Sequence, residues 1–299
     1  MSGTMRTQLQ NFVLELDGKL AGRLFSVDGG TVRTQILDEP IGPHNERIKH
    51  TSQFDLQPLV LICGTGMSQV FYKWIAGAFD GRGRQRMSGA VILLDQNSKP
   101  KARREFYNAI VVEVVLPALD SSQKDSAYMQ VTIQPEQGRT ASTSETVDLG
   151  VYAARLAKNW YINGFRFQIE GLVTDSQHVT HIDSIDLKQG MKKMYTGQDR
   201  FPQIEPTKVE FPNINFEVPA THGEGFLKWY NESVKGNGTS VQPRSGSIEF
   251  LAPGSNTPYF GLGLNGVGPF SLQRQGANAL RIGLYCDSMT FRAGSAAIK

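Results

Sequence analysis

The strongest amphipathic pattern in the chain runs through Met67, Val70, Phe71, Trp74, Ile75, Ala78 and Phe79. Apolar residues recur there at steps of three and four, the signature of a helix with one buried face. Ser68 supplies a capping hydroxyl before it and Gly81 a stop after it. Upstream, Phe12, Leu14 and Leu16 alternate with Val13, Glu15 and Asp17 and end at Gly18, which predicts a strand and a turn. Leu24 to Val27 is a short apolar piece before the turn Asp28-Gly29-Gly30. Arg33 to Lys49 is polar, holds Pro40, Gly42 and Pro43, and is predicted to be a loop. Leu56 to Ile62 is a continuous apolar run, a buried strand that Gly64-Thr65-Gly66 breaks. After the helix, Ala90 to Leu94, Glu105 to Val115 and Tyr128 to Gln134 are predicted strands, separated by the turn-rich DQNSKP and PALDSSQKDS. Strand, loop, strand, helix and an antiparallel run of strands make a mainly β (α+β) unit: an antiparallel β-sandwich or half-barrel with one packed helix.

This order then recurs. FYKW at Phe71 to Trp74 returns as FLKW at Phe226 to Trp229, about 155 positions on. FVLELDG returns as FRFQIEG, from Phe165. QPLVLI returns as FPNINF, from Phe211. SGAVILL returns as SGSIEFL, from Ser245, and MQVTI as LRIGL, from Leu280. Each match alone is weak, but five in one order predict two copies of one domain, residues 1–145 and 146–299. Gln137 to Glu145 holds no large apolar residue and is the expected linker, with a short helix expected over Val147 to Ala157. The second copy's helix is expected over Gly225 to Val234, and its strands over Gly246 to Leu251, Tyr259 to Leu264, Ala279 to Tyr285 and Ser288 to Arg292.

Composition narrows the chemistry. The chain has 299 residues, a net charge of +3 and two cysteines, so no global field calls for nucleic acid or an acidic membrane. Cys63 and Cys286 fall at non-equivalent places in the two copies and are expected to be reduced thiols. The opening MSGTMRTQLQNF lacks the apolar core of a secretion signal, and no apolar run reaches the roughly 18 residues of a membrane span. The expectation is assembly in the cytoplasm. Gly64-Thr65-Gly66 before a helix lacks the Lys-Ser/Thr of a phosphate loop. His178 and His181 lack a third ligand at metal spacing and are expected to be solvated or hydrogen-bonded. There is no G-x-S-x-G elbow, so no catalytic, cofactor-binding or metal residue is assigned, and the chain is expected not to be an enzyme. Trp74 and Trp229 are expected core anchors. Two basic clusters stand one hairpin apart: Arg82, Arg84 and Arg86, then Lys99, Lys101, Arg103 and Arg104. They are either solvated turns or a surface for subunit contact or channel lining.

The segment from the first helix to Glu136 resembles the tail-tube proteins of contractile phage tails and extracellular contractile injection systems. The carriers are Trp74 in its aromatic helix, the basic turn Arg82 to Arg86, Gly89 to Asp95, Arg104 to Ala109, Pro117, and Val131 to Glu136, with Phe12 to Gly30 as the opening strand and turn. The second copy resembles the family less: it keeps Trp229, Ser245 to Leu251 and Asn265, but its turn KGNGTSVQPR is less basic. The resemblance implies a structural protein whose stacked rings surround a channel for DNA or effector passage. It implies no cofactor. It implies as partners the chain itself, in trimeric pseudo-hexameric or hexameric rings, with sheath, baseplate and tape-measure proteins. Sheet edges would pair between neighbours, and the predicted loop Arg33 to Gln53 would contact the next ring. Tandem copies depart from the usual single domain, so a baseplate hub or tube-initiator ring is the alternative. A monomeric β-sandwich binding module is the alternative of another class.

Overall fold

The computed structural model describes residues 11–41, 46–80, 85–95, 99–141, 160–197, 199–235, 242–276 and 278–294. The expected helix over Val147 to Ala157 and the expected stop at Gly81 lie outside them. In chain order the strands of the first half are β1 (Asn11–Leu16), β2 (Lys19–Gly29), β3 (Val32–Ile41), β4 (Glu46–Leu56) and β5 (Leu59–Cys63), then helix α1 (Gln69–Phe79). There follow β6 (Met87–Leu94), β7 (Pro100–Leu116), β8 (Leu119–Asp120), β9 (Met129–Gln134) and β10 (Gln137–Ala141). The second half holds β11 (Phe165–Ile169), a one-turn helix α2 (Val173–Ser176), β12 (His181–Ile182), β13 (Ile185–Met194), β14 (Gln203–Glu210), β15 (Ile214–Pro219), α3 (Glu224–Lys235), β16 (Arg244–Leu251), β17 (Pro258–Gln275) and β18 (Ala279–Ala293).

All strand pairs are antiparallel, in a nine-stranded sheet, a seven-stranded sheet and the separate pair β3–β4. The ladders of the two halves share one register. Phe12 opposes Leu93, and its sequence counterpart Phe165 opposes Phe250. Leu59 opposes Ile133 as Ile214 opposes Leu284. Buried positions set this phase: Leu59, Leu61 and Cys63 match Ile214, Phe216 and Val218, one residue on from the match of QPLVLI to FPNINF that the sequence suggests. Irregularities recur as well. The ladder slips at Met87/Gly89 and at Arg244/Gly246, and again at Val111/Glu113 and at Pro269/Ser271. A bulge re-aims a strand at one fixed point, so matching bulges carry more information than matching length. Within the long strands, Asn108 (φ 51) and Gly266 (φ 65) take the same left-handed turn of backbone at corresponding places.

The halves exchange elements rather than lying side by side. β13 of the second half extends the first half's sheet along β7, with Leu187 opposite Val114. β8 of the first half joins the second half's sheet through β12. Helix α1 starts at Ser68, whose hydroxyl accepts the Phe71 N–H at 3.3 Å. It buries Phe71, Tyr72, Trp74 and Ile75 and packs against β18 of the other half. Tyr72 stacks on Phe260 and Phe291, ring centroids 5.7 and 6.1 Å away. One core therefore spans both halves, from Leu14 to Phe291.

Three expectations need correction. Arg33 to Lys49 is not a loop: it contributes most of β3 and the start of β4, a long hairpin. Its strands lacked alternation because neither face of the hairpin is covered for most of its length. The predicted linker from Gln137 begins as a strand, β10, paired with β7 at Arg103 to Tyr107. An edge strand needs only backbone partners, and QGRTA supplies them without a large side chain. The strand predicted to stop at Leu264 runs on to Gln275, because Gly266 bends the ladder there without ending it.

Candidate functional site

Arg82 and Arg84 lie outside the described residues. The rest of the basic set does not form one face. Arg103 and Arg104 are neighbours on β7, so they point to opposite sides of the sheet. Arg103 makes a two-pronged contact with Glu15 on β1, at 2.6 and 3.0 Å, and reaches Glu105 at 3.2 Å. The Glu15 carboxylate holds the guanidinium charged well beyond its ordinary range. Arg104 donates instead to the Gly29 carbonyl at 2.6 Å, tying β7 to the turn that leads into β3. Lys99 and Lys101 are exposed at the start of the same hairpin arm. Glu105 also accepts from the Tyr107 hydroxyl and from Arg139, and these bonds lower its carboxyl below the usual range.

Arg86 has a different task. Its guanidinium bonds Glu136 at 2.5 Å, Glu205 at 3.1 Å and the Ile204 carbonyl. Glu136 in turn accepts the Ile204 N–H at 3.0 Å. Arg86 and Glu136 belong to the first half; Ile204 and Glu205 lie on β14. The residue singled out for its charge is thus a clamp on the hairpin β13–β14. Lys193 adds a second tie, 2.7 Å from Asp55 on β4, and Arg200 lies over the Phe54 ring at 4.0 Å. Glu15 and Glu205 were not singled out from the sequence, and Glu136 entered it only as the end of a matched strand. Nothing local marks an isolated glutamate as the partner of an arginine tens of residues away.

The two tryptophans sit in the core. Trp74 is 0% exposed and its indole N–H donates to the Gln85 carbonyl at 3.1 Å. Trp229 is buried under Arg244, whose guanidinium lies 4.8 Å from the ring centre. His178 and His181 do not face a common ligand. His178 stacks on His222, and His181 lies 3.7 Å from Asp120 and 3.4 Å from Asp183. Cys63 and Cys286 are free thiols, and burial pushes both up from the ordinary thiol value. A cleft of about 730 Å³ is lined by Lys124, Tyr161, Asn163, Leu251, Pro253 and Asn256 among others, with no His, Cys, Asp or Glu among the described residues of its lining. No helix among the described residues is long and apolar enough to cross a membrane.

What the geometry offers is edges. The pair β3–β4 joins no other strand among the described residues, and Ile36 on it is 67% exposed. The far part of β17, from Pro269 to Gln275, pairs with β18 alone among them. Open strand edges are templates for another chain, and a monomeric protein ordinarily blunts them.

Comparison with known proteins finds likenesses for the first half of the chain. Residues 9–138 match the model of the T4-like virus tail tube protein gp19 family. No curated protein matches the chain. Among solved structures, it is similar to a chain of an extracellular contractile injection system sheath–tube complex in the extended state. The identity is 14%, the match covers 48% of this chain and 100% of that one, and the TM-score is 0.39. It is similar also to the tube-terminating cap of the anti-feeding prophage, at 14% identity over 48% of this chain and 94% of that one, with a TM-score of 0.39. Hcp1 from Flavobacterium johnsoniae matches at 14% identity over 46% of this chain and 99% of its own, with a TM-score of 0.30.

Proposed function

We propose that the chain, carrying a tail-tube domain in its first half, is a structural subunit of the tube of a contractile phage tail or injection particle. Its second half, residues 146–299, is a diverged copy of the first, residues 1–145, and both stand in the tube wall. Three chains then complete a pseudo-sixfold ring, and stacked rings enclose a lumen through which DNA or effector cargo passes without sequence-specific binding. The partners that follow are copies of the chain itself, a sheath on the outside, and baseplate and tape-measure components at the ends. The chain is assembled in the cytoplasm and resides in the tail of the particle.

One observation carries this reading: the two halves repeat the ladders before and after the long strand, with slips at matched points, in a chain whose first half matches a tube family. A fold built twice presents two equivalent wall units, and head-to-tail contacts between them close into a ring. Negative-stain images of the purified protein test it. Rings or tubes with a stain-filled lumen are expected; single particles of one 33.0 kDa chain at all concentrations would leave the monomeric binding module as the better reading.

The position along the tail follows from the difference between the halves. A ring in which two unlike units alternate has true threefold symmetry on a sixfold frame. That geometry suits a hub or tube-initiator ring, where a threefold part meets a sixfold tube. Repetitive polymerisation into long tubes favours the mid-tube position, whereas rings that stop at one layer favour the hub.

A further inference from the structure

Within one chain, the second half's hairpin already completes the first half's sheet. Where β6 ends beside β7, β13 takes over the same edge: Lys188 opposes Glu113, Leu187 opposes Val114 and Ile185 opposes Leu116. This burial is complete, with Leu187 and Ile185 in the core. Each partner has a counterpart. β17 corresponds to β7: both pair on one side with the strand before them, and on the other with the strand after them, slipping at Val111/Glu113 and Pro269/Ser271. The hairpin β3–β4 corresponds to β13–β14, and both slip at one matched point, Thr34/Ile36 and Gln189/Met191.

The counterparts do not meet in this chain. Beyond Val267, where β16 ends, the edge of β17 takes no further strand among the described residues. Val32 stands where Leu187 stands in the other hairpin, yet it is 47% exposed, and Ile36, Leu37, Ile41 and Ile48 on the same hairpin are exposed too. We propose that the edge of β17 receives the β3–β4 hairpin of a second copy of this chain, with Val32 of one copy opposite Leu272 of the next. This rests on the ring reading above and supplies its joint. The docked pair β13–β7 fixes the register, placing Thr31 opposite Gln273 and Arg33 opposite Ser271. Backbone hydrogen bonds give the joint its affinity, and the apolar residues of the hairpin give it burial. The clamp beside the docked hairpin has a matched pair as well. Glu136, which holds the Ile204 N–H, corresponds to the exposed Asp287 on β18, and Ile204 corresponds to Lys49 on β4, so opposite charges meet across the joint. Because a chain gives its first hairpin to a neighbour and receives one from another neighbour, the contact is head-to-tail, and three such joints close the ring proposed above.

Engineered disulfides test the register. Directly opposed residues in an antiparallel pair lie about 4.5–5.5 Å apart at Cα, inside the range a disulfide spans, and a shift of one residue moves the side chain to the other face. The full-length chain carries Val32→Cys and Leu272→Cys on a Cys286→Ser background, with Thr31→Cys/Leu272→Cys as the shifted control. Both positions are at least partly exposed, and Arg33→Cys/Ser271→Cys, the next rung, serves if the first pair does not fold. After mild oxidation, chain-to-chain bonds are expected in the matched pair and not in the control: dimer and trimer bands on a non-reducing gel that collapse with reductant. Rings that form without such a bond would overturn the joint and leave the ring reading intact. Neither rings nor bonds would overturn both. A bond that merely speeds the migration of the monomer would show that the hairpin folds onto its own chain, which also overturns the proposal.

Discussion

The two long hairpins of this protein occupy the same place in the strand order and share the same bulge, but only one is covered. β13–β14 lies along β7, held by Arg86 and Glu136. β3–β4 joins no other strand among the described residues and is touched near its base only through β4, where Asp55 meets Lys193 and Phe54 meets Arg200. An isolated hairpin is marginal in water, so a long one with apolar residues on bare faces is a structure waiting for a partner. The difference therefore separates what a strand pattern encodes from what an available edge decides. The hairpin shape is local, whereas its burial depends on which sheet edge reaches it.

Corresponding substitutions should break this comparison most sharply. Leu187→Asp places a charge where the docked hairpin is 1% exposed and should cost about 4–5 kcal/mol, read as a drop in the urea midpoint. Val32→Asp, at the matching position, should change monomer stability by no more than about 0.5 kcal/mol while abolishing higher assemblies in sedimentation. Equal losses of stability at the two sites would mean that the bare hairpin is already buried within its own chain. Trp74→Ala comes next, at about 3–5 kcal/mol, since a large indole leaves a cavity between the sheets; an unchanged melting temperature would remove α1 from the core. Arg86→Ala should cost roughly 1–3 kcal/mol, because Glu136 and the Ile204 carbonyl lose their common partner. Hydrogen exchange should then quicken along β14 before it does along β5. Uniform exchange across the sheet would deny the clamp.

Much of this was legible in the sequence. α1 was plain because its apolar residues repeat at helical spacing and, Val70 apart, that face is buried. The repeated order of elements was legible too, since FYKW and FLKW mark the same turn of two helices. The hairpin β3–β4 was not: Pro40 and the polar run around it suggest a loop, and alternation is written into a strand only when one face is covered within the chain. The basic residues could be found by charge, but their tasks could not. Arg103 and Arg104 differ in partner because adjacent residues on a strand face opposite ways, and Arg86 works through an acid fifty residues on. The swap of β8 and β13 between halves left no local mark, because antiparallel pairing is made by backbone groups that every sequence shares.

The smallest expected effect concerns the second exchange point, where β8 meets β12. The hydroxyl and N–H of Ser122 donate to Asp120 at 2.6 and 2.8 Å, and with His181 nearby they lower its carboxyl below the usual range. A carboxyl lowered on folding stabilises above its unfolded value of about 3.9, and that contribution fades as pH falls through the folded value. Asp120→Asn should therefore lose less stability than the parent between about pH 5 and pH 3, in paired urea titrations. Parallel losses would show that the bonds from Ser122 do not hold this carboxylate in the folded protein.

The central claim is that each chain supplies two wall units to a ring closed by identical joints. Native mass spectrometry of the soluble ring tests it most directly. A species of three 33.0 kDa chains, whose class averages show sixfold-like outlines with threefold alternation, is the predicted result. A species of six chains with true sixfold averages would contradict it, leaving the second half outside the wall.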